Sequence, residues 1–259
     1  MQLGVVFPQT EIGSDPAVVR EYAQTAEGSG LKHLLVYDHV MGASTANRPN
    51  WRGPYTSETP FHEVFVLFGY LAAATPGLEL VTGVVILPQR QTALVAKQAA
   101  AIDVLTGGKL RLGVGVGWND VEYTVLNENF NNRGRRFEEQ IEVLRALWTD
   151  EVIDFKGRYH TIPEAGLNPM PVQRPIPLWI GGYADVVMER IGRLADGWFP
   201  GSQPGDVLEH SRSLVVASAE AAGRDPSAIG MEGRITLEPD AESEWIAQTE
   251  AWRAAGATH

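Results

Sequence analysis

The chain has 259 residues, 44% hydrophobic and 20% charged, which is enough apolar material for one large core. Its 32 acidic and 21 basic residues leave a net charge of -11, which repels nucleic acid and an anionic membrane face. It contains no cysteine, which excludes disulfides, thiolate catalysis, iron–sulfur clusters and Cys-ligated zinc.

The opening MQLGVVFPQT has no basic patch ahead of a long apolar run, and no later stretch approaches a membrane span. The chain therefore reads as a cytoplasmic protein that starts its fold at once. Short runs rich in Val, Ile and Leu alternate with stretches of helical periodicity, the pattern of buried parallel strands with crossover helices. Strands are predicted at 3–8, 33–38, 78–87, 110–116, 177–181, 197–200 and 231–237. The first helix opens at Ser14-Asp15-Pro16 and closes at Gly28 and Gly30. A second covers 92–105 and ends at Thr106-Gly107-Gly108. Over 133–148, Phe137, Ile141, Leu144 and Trp148 fall on one helical face, opposite Glu138, Glu139 and Glu142. Further helices are predicted at 204–222 and 242–254. This is the β-then-α order of a (β/α)8 TIM barrel formed by one domain over 1–259.

Two stretches interrupt that order without marking a domain boundary. Residues 40–61, rich in Gly, Pro, Ser, Thr and Asn, read as a long loop over the strand ends. Residues 152–177 carry the hairpin-like DFKGRYHTI and then Pro163, Pro169, Pro171, Pro175 and Pro177, too many for a helix, and read as an inserted excursion. After the last helix the chain stops at Gly256-Ala257-Thr258-His259, so the eighth strand is expected to be missing and the barrel C-terminally incomplete.

Barrel enzymes place their chemistry at the C-terminal strand ends. Strand one ends at Gln9, which either lines a substrate pocket or simply turns. Strand two ends Tyr37-Asp38-His39. Burying a carboxylate beside an imidazole is costly unless they bind something, and a titrating His suits proton or hydride chemistry. On these two residues alone, a helix-capping Asp beside a solvent-facing His is the simpler reading. The other histidines show no metal spacing, and His62-Glu63 lacks the second His of a zincin motif. No metal site is expected.

Strand three holds Gly83, which marks a bulge, a close approach to ligand, or close packing. Strand four, Leu112 to Trp118, has glycine at 113, 115 and 117, without the third glycine of a dinucleotide fingerprint. A strand face of glycine leaves room for a flat ring or phosphate chain, and also for packing inside a barrel. Gly181-Gly182-Tyr183 precedes a helix at Ala184-Asp185, and free amides there suit a phosphate or form a tight turn. At strand six the rings of Trp198 and Phe199 either line a pocket or pack.

Together these strand ends resemble the bacterial luciferase-like monooxygenase superfamily, within it the proteins assigned to the deazaflavin coenzyme F420. The resemblance covers nearly the whole chain and rests on YDHV at 37–40, TGVVILPQR at 82–90, LGVGVGW at 112–118, RGRRFEEQIEVLRALW followed by DFKGRYH, and PLWIGG at 177–182. It implies Asp38 as a hydrogen-bond partner of the deazaflavin and His39 as a proton donor or stabiliser of the reduced ring. It implies a non-proline cis peptide at Gly83-Val84 behind the flat ring, and Gly115, Gly117, Trp118, Gly181, Gly182 and Tyr183 around the cofactor. Gln9 and Trp198 would line the substrate pocket. The implied reaction is hydride transfer between F420 and a small organic substrate; FMN in its place would give a monooxygenase. The Asp-His pair favours F420, since luciferase-type members often have Glu-His there. The family's carboxylic acid beside the strand-four glycines has no counterpart in Trp118-Asn119-Asp120. A homodimer is implied by resemblance alone. Two other readings stand beside these: a non-catalytic flavin-binding barrel, and a phosphate-binding lyase or isomerase, for which Lys97 and Lys109 lie away from the strand ends.

Overall fold

Alternation of β-branched and amphipathic runs produces parallel strands and covering helices in each of two units, Val5–Pro177 and Met1–Gly4 with Leu178–His259; the computed structural model describes all residues 1–259. The larger unit runs β1 (Val5–Val6), α1 (Pro16–Gly28), β2 (His33–Val36), α2 (Val64–Ala74), β3 (Glu79–Thr82), β4 (Val85–Ile86), α3 (Thr92–Thr106), β5 (Leu110–Gly115), α4 (Asp120–Val125), α5 (Arg133–Thr149), β6 (Ile153–Lys156) and β7 (Thr161–Ala165). β1 pairs with β2, β2 with β3, and both β3 and β4 with β5, all parallel. Every residue of β2 and β5 is buried, as in parallel strands covered on both faces, even though β2 carries His33 and β5 carries Arg111, which donates to Glu79.

The end signals act as the residues dictate. Asp15 accepts the Ala17 amide at 2.8 Å to cap α1, with Pro16 in its first turn. Gly107 takes the left-handed conformation, φ +67°, that closes α3. The predicted apolar face of α5 is buried, and the Trp148 indole donates to Ala96 O at 3.0 Å. β6 and β7 form an antiparallel hairpin from the DFKGRYHTI segment.

The third strand is not continuous over 78–87. It breaks between β3 and β4 at the cis Gly83–Val84 peptide, which the resemblance implied. Space and hydrogen bonding account for the break. A Cβ on Gly83 would stand 2.3 Å from Leu35 Cδ2, and the Thr82 hydroxyl donates to Gly113 O at 2.7 Å where the backbone ladder shifts.

The smaller unit runs β8 (Leu178–Gly182), α6 (Asp185–Leu194), β9 (Gly197–Pro200), α7 (Asp206–Ala221), β10 (Gly230–Met231) and α8 (Glu242–Ala254). β8, β9 and β10 are parallel, with Ile180 beside Trp198 and Trp198 beside Met231. The Trp179 ring occupies the room left by two glycines, since a Cβ would meet it at 2.2 Å from Gly197 and 2.6 Å from Gly230.

The strand predicted over 231–237 reduces to Gly230–Met231. Past it, Trp252 of α8 fills the place of a Gly233 Cβ at 2.4 Å and donates to Arg234 O at 3.2 Å, so the backbone is drawn toward the helix. The chain end lies along this edge: Thr258 N donates to Met231 O at 2.8 Å, Gly233 N to His259 O at 3.0 Å, and Gln2 N to Thr258 O at 2.9 Å. No regular eighth strand forms, and the repeated parallel β/α unit is that of the TIM-barrel class without a closing strand.

Candidate active site

The neighbours Asp38 and His39 leave the end of β2 in company with different partners. Asp38 is 4% exposed and accepts both bonds of Arg90 Nη2, at 2.8 Å to Oδ1 and 3.0 Å to Oδ2. Arg90 Nη1 donates to Glu63 Oε1 at 2.9 Å, and Glu63 also caps α2 by accepting the Val66 amide at 2.8 Å. Burial pushes the Asp38 carboxyl above the usual carboxylate range; Arg90 works against this, while Glu63 and Glu122 add to it. Burial also works against the Arg90 charge, but Asp38 and Glu63 hold that guanidinium more firmly protonated than usual. Asp38 is thus occupied by a cation of its own chain, and the cofactor hydrogen bond that the resemblance implies would have to share it with Arg90.

His39 turns its Nδ1 toward Glu122 Oε2, 3.5 Å away, with the carboxylate side chain 1% exposed. Glu122 Oε1 accepts the amides of Val40 and Met41, and Oε2 accepts Gln89 Nε2 at 3.2 Å. Burial opposes ionisation of Glu122, but the bonds from His39 and from the Met41 and Val40 amides outweigh it and hold the carboxyl below its usual range. The imidazole sits in an aromatic surround, edge-on to Tyr55 and Phe61 at 4.9 Å each and to Trp118 at 5.8 Å. The loop predicted over 40–61 therefore folds back on His39 rather than leaving it on the surface.

Other expected residues take these places. Gln9 is 2% exposed, donates to Tyr37 O at 2.7 Å and accepts the His62 amide at 3.3 Å, tying the ends of the first two strands. Gly83 and Val84 keep part of their surface open. Gly115 is buried in β5 beside Ile86. Gly117 has φ +67°, and a Cβ there would meet Ile86 Cγ2 at 2.6 Å, so backbone conformation and packing each call for glycine there. Trp118 is 38% exposed and stacks at a tilt on Trp51, 5.6 Å between centroids.

In the smaller unit, Gly181 and Gly182 end β8, and Tyr183 is 83% exposed just before α6. Ala184 at the cap position offers no side-chain acceptor to the first-turn amides of α6. Trp198 is 3% exposed, a core position in this unit.

Sequence reasoning overlooked Arg90, Glu63 and Glu122. The signals were present: PQR at the end of the third strand places a cation after an apolar run, and Glu122 lies on a short helix opened by Asn119, which accepts its amide at 3.4 Å. Glu122, three residues past Asn119 on α4, is a buried carboxylate close to the end of β5 in the chain.

In the larger unit the His39 imidazole, the partly open backbone at Gly83–Val84 and the exposed Trp118 indole suit a flat ring. In the smaller unit, taken by itself, the uncapped start of α6 after Gly181-Gly182 offers its amides to an anion. The β/α fold that carries these strand ends is of the luciferase-like class. The chain belongs to the luciferase-like monooxygenase family, whose model matches residues 1–256. That family holds F420-dependent and FMN-dependent oxidoreductases, and the chain is an enzyme of this kind. It is 33% identical over 223 residues to the uncharacterized protein Rv0940c of Mycobacterium tuberculosis, covering 84% of this chain and 77% of that one. It is 29% identical over 208 residues to an FMNH(2)-dependent dimethylsulfone monooxygenase of Pseudomonas putida, covering 79% of this chain and 54% of that one. It is 28% identical over 239 residues to an F420-dependent hydroxymycolic acid dehydrogenase of Mycobacterium tuberculosis, covering 90% of this chain and 61% of that one. The fold matches that of monooxygenase RslO1 from Streptomyces bottropensis with a TM-score of 0.76 at 22% identity, over 98% of this chain and 78% of that one. No helix is long and apolar enough to cross a membrane.

Proposed function

We propose that the chain transfers a hydride between coenzyme F420 and a small organic substrate, with His39 as the proton-handling group. The observation that carries this reading is the His39 site: an imidazole held through Nδ1 by a buried carboxylate and walled by aromatic rings, which leaves Nε2 as the ring's other polar atom. When bound, the deazaflavin supplies the hydride at a ring carbon. The chain's part is to back the ring with Gly83–Val84, keep water from it with Tyr55, Phe61 and Trp118, and hold a proton at His39 Nε2. Gly181, Gly182 and the uncapped start of α6 are proposed to take phosphate. Tyr183 belongs with these proposed cofactor residues, and Gln9 and Trp198 remain the proposed substrate-pocket residues.

F420 is preferred over FMN on the Asp38-His39 pair, and the F420-dependent relative aligns over more of the chain than the FMNH(2)-dependent one. An FMN monooxygenase is the second reading, supported by that other relative. A homodimer is part of the proposal: Val66 on α2 and Leu94 and Leu105 on α3 stand 71%, 56% and 65% exposed, and light scattering behind a sizing column tests it. For the cofactor, purified protein is titrated with F420 and with FMN while tryptophan emission is followed. Micromolar F420 binding is expected, with FMN weaker; tight FMN binding without F420 binding would reverse the preference.

A further inference from the structure

We propose that Glu122 is a positioning residue that fixes the tautomer and direction of the His39 ring; this rests on the reading of His39 as the group facing the cofactor. A carboxylate offers only acceptors, so the imidazole nitrogen turned toward it must carry the proton. That nitrogen is Nδ1, 3.5 Å from Glu122 Oε2. The neutral ring then keeps Nε2 bare, able to take a proton and give it back as imidazolium, with Glu122 stabilising the cation.

The geometry makes Glu122 a fixed reference for the ring. Its Oε1 is committed to the Val40 and Met41 amides, and its Oε2 also accepts from Gln89. Asn119 binds the same two segments from the other side, accepting the Glu122 amide and donating to Met41 O at 3.3 Å. The rings of Tyr55, Phe61 and Trp118 limit rotation of the imidazole between them. Of the charged groups around His39, Glu122 comes from α4, and Asp38 precedes it in the chain but is taken by Arg90, which Glu63 also holds. Nothing in this arrangement requires Glu122 to touch the cofactor.

Replacing Glu122 by Gln separates the two halves of its role. The single amide oxygen is expected to stay with the two backbone amides, which turns the amide NH2 toward His39 and makes Nδ1 the acceptor. The proton should then move to Nε2.

The test is a long-range 15N–1H imidazole spectrum of the labelled protein in mildly alkaline buffer, with His39→Gln assigning the signals. Wild type, Glu122→Gln and Glu122→Ala are compared, each before and after adding F420. The expected result is Nδ1–H in wild type and Nε2–H in both variants, with F420 shifting the wild-type Nε2 signal. If Glu122→Ala fails to fold, the Gln variant carries the result alone. Nε2–H in wild type, or an unchanged tautomer in the folded variants, would overturn the positioning role. A changed tautomer with no response to F420 anywhere would leave that role standing and remove the cofactor reading instead.

Discussion

Arg90 grips both carboxylate oxygens of Asp38 with one amino group and holds Glu63 with the other. Asp38 is buried, so removing the cation leaves an uncompensated charge, while removing the anion leaves Arg90 with Glu63. Arg90→Met should therefore cost about 3–5 kcal/mol in urea unfolding, and Asp38→Asn distinctly less. The double variant should recover part of the loss. A loss below about 1 kcal/mol for Arg90→Met would mark the pair as structurally idle.

Glu139 on α5 accepts the amides of Arg158, Tyr159 and His160 at 2.7 to 2.8 Å and lies 2.8 Å from His160 Nδ1, which pins the tip of the β6–β7 hairpin. Burial works against its charge, but these bonds win and lower its pKa. A carboxyl lowered on folding contributes stability that is complete above the ordinary glutamate range and is lost as pH falls through the lower folded value. Hydrogen exchange at Arg158, Tyr159 and His160, corrected for intrinsic rates, should therefore rise in acid. In Glu139→Gln it should already be raised at neutral pH; equal protection in the variant would remove the carboxylate from this role.

His39→Ala should leave F420 affinity within a few-fold and slow single-turnover oxidation of the reduced cofactor by about two orders of magnitude. Stopped-flow absorbance reads the rate and fluorescence titration the affinity. An unchanged rate would return His39 to the role of a packed aromatic among Tyr55, Phe61 and Trp118.

At Gly83 an added methyl would collide with Leu35 Cδ2 and Cγ, at 2.3 and 2.7 Å. Gly83→Ala should cost about 1–3 kcal/mol by overpacking, and Leu35→Ala in the same chain should return part of that. Additive losses in the double variant would show that the glycine answers to something other than Leu35.

Much of the larger unit could be read in advance because its signals are local. Asp15-Pro16 starts α1, Gly107 ends α3, and Phe137, Ile141, Leu144 and Trp148 choose the buried face of α5, each through neighbours within a few turns. The strand over 231–237 could not be read so, because it shortens where Trp252, about twenty residues on, packs at Gly233. The site was half legible for the same reason. Asp38 and His39 stand out as adjacent ionisable residues after an apolar strand, while their partners lie 52 and more than 80 residues away along the chain.

Composition and periodicity alone determined a β/α chain of barrel type, and the motifs 37–40, 82–90 and 112–118 determined its family resemblance, because strand burial and turn chemistry act over short spans. Tertiary structure alone decided which groups Asp38 and His39 meet. It gave Asp38 to Arg90 and turned His39 toward Glu122, since a charge taken out of water binds whichever counter-charge the fold brings within reach, however distant in sequence.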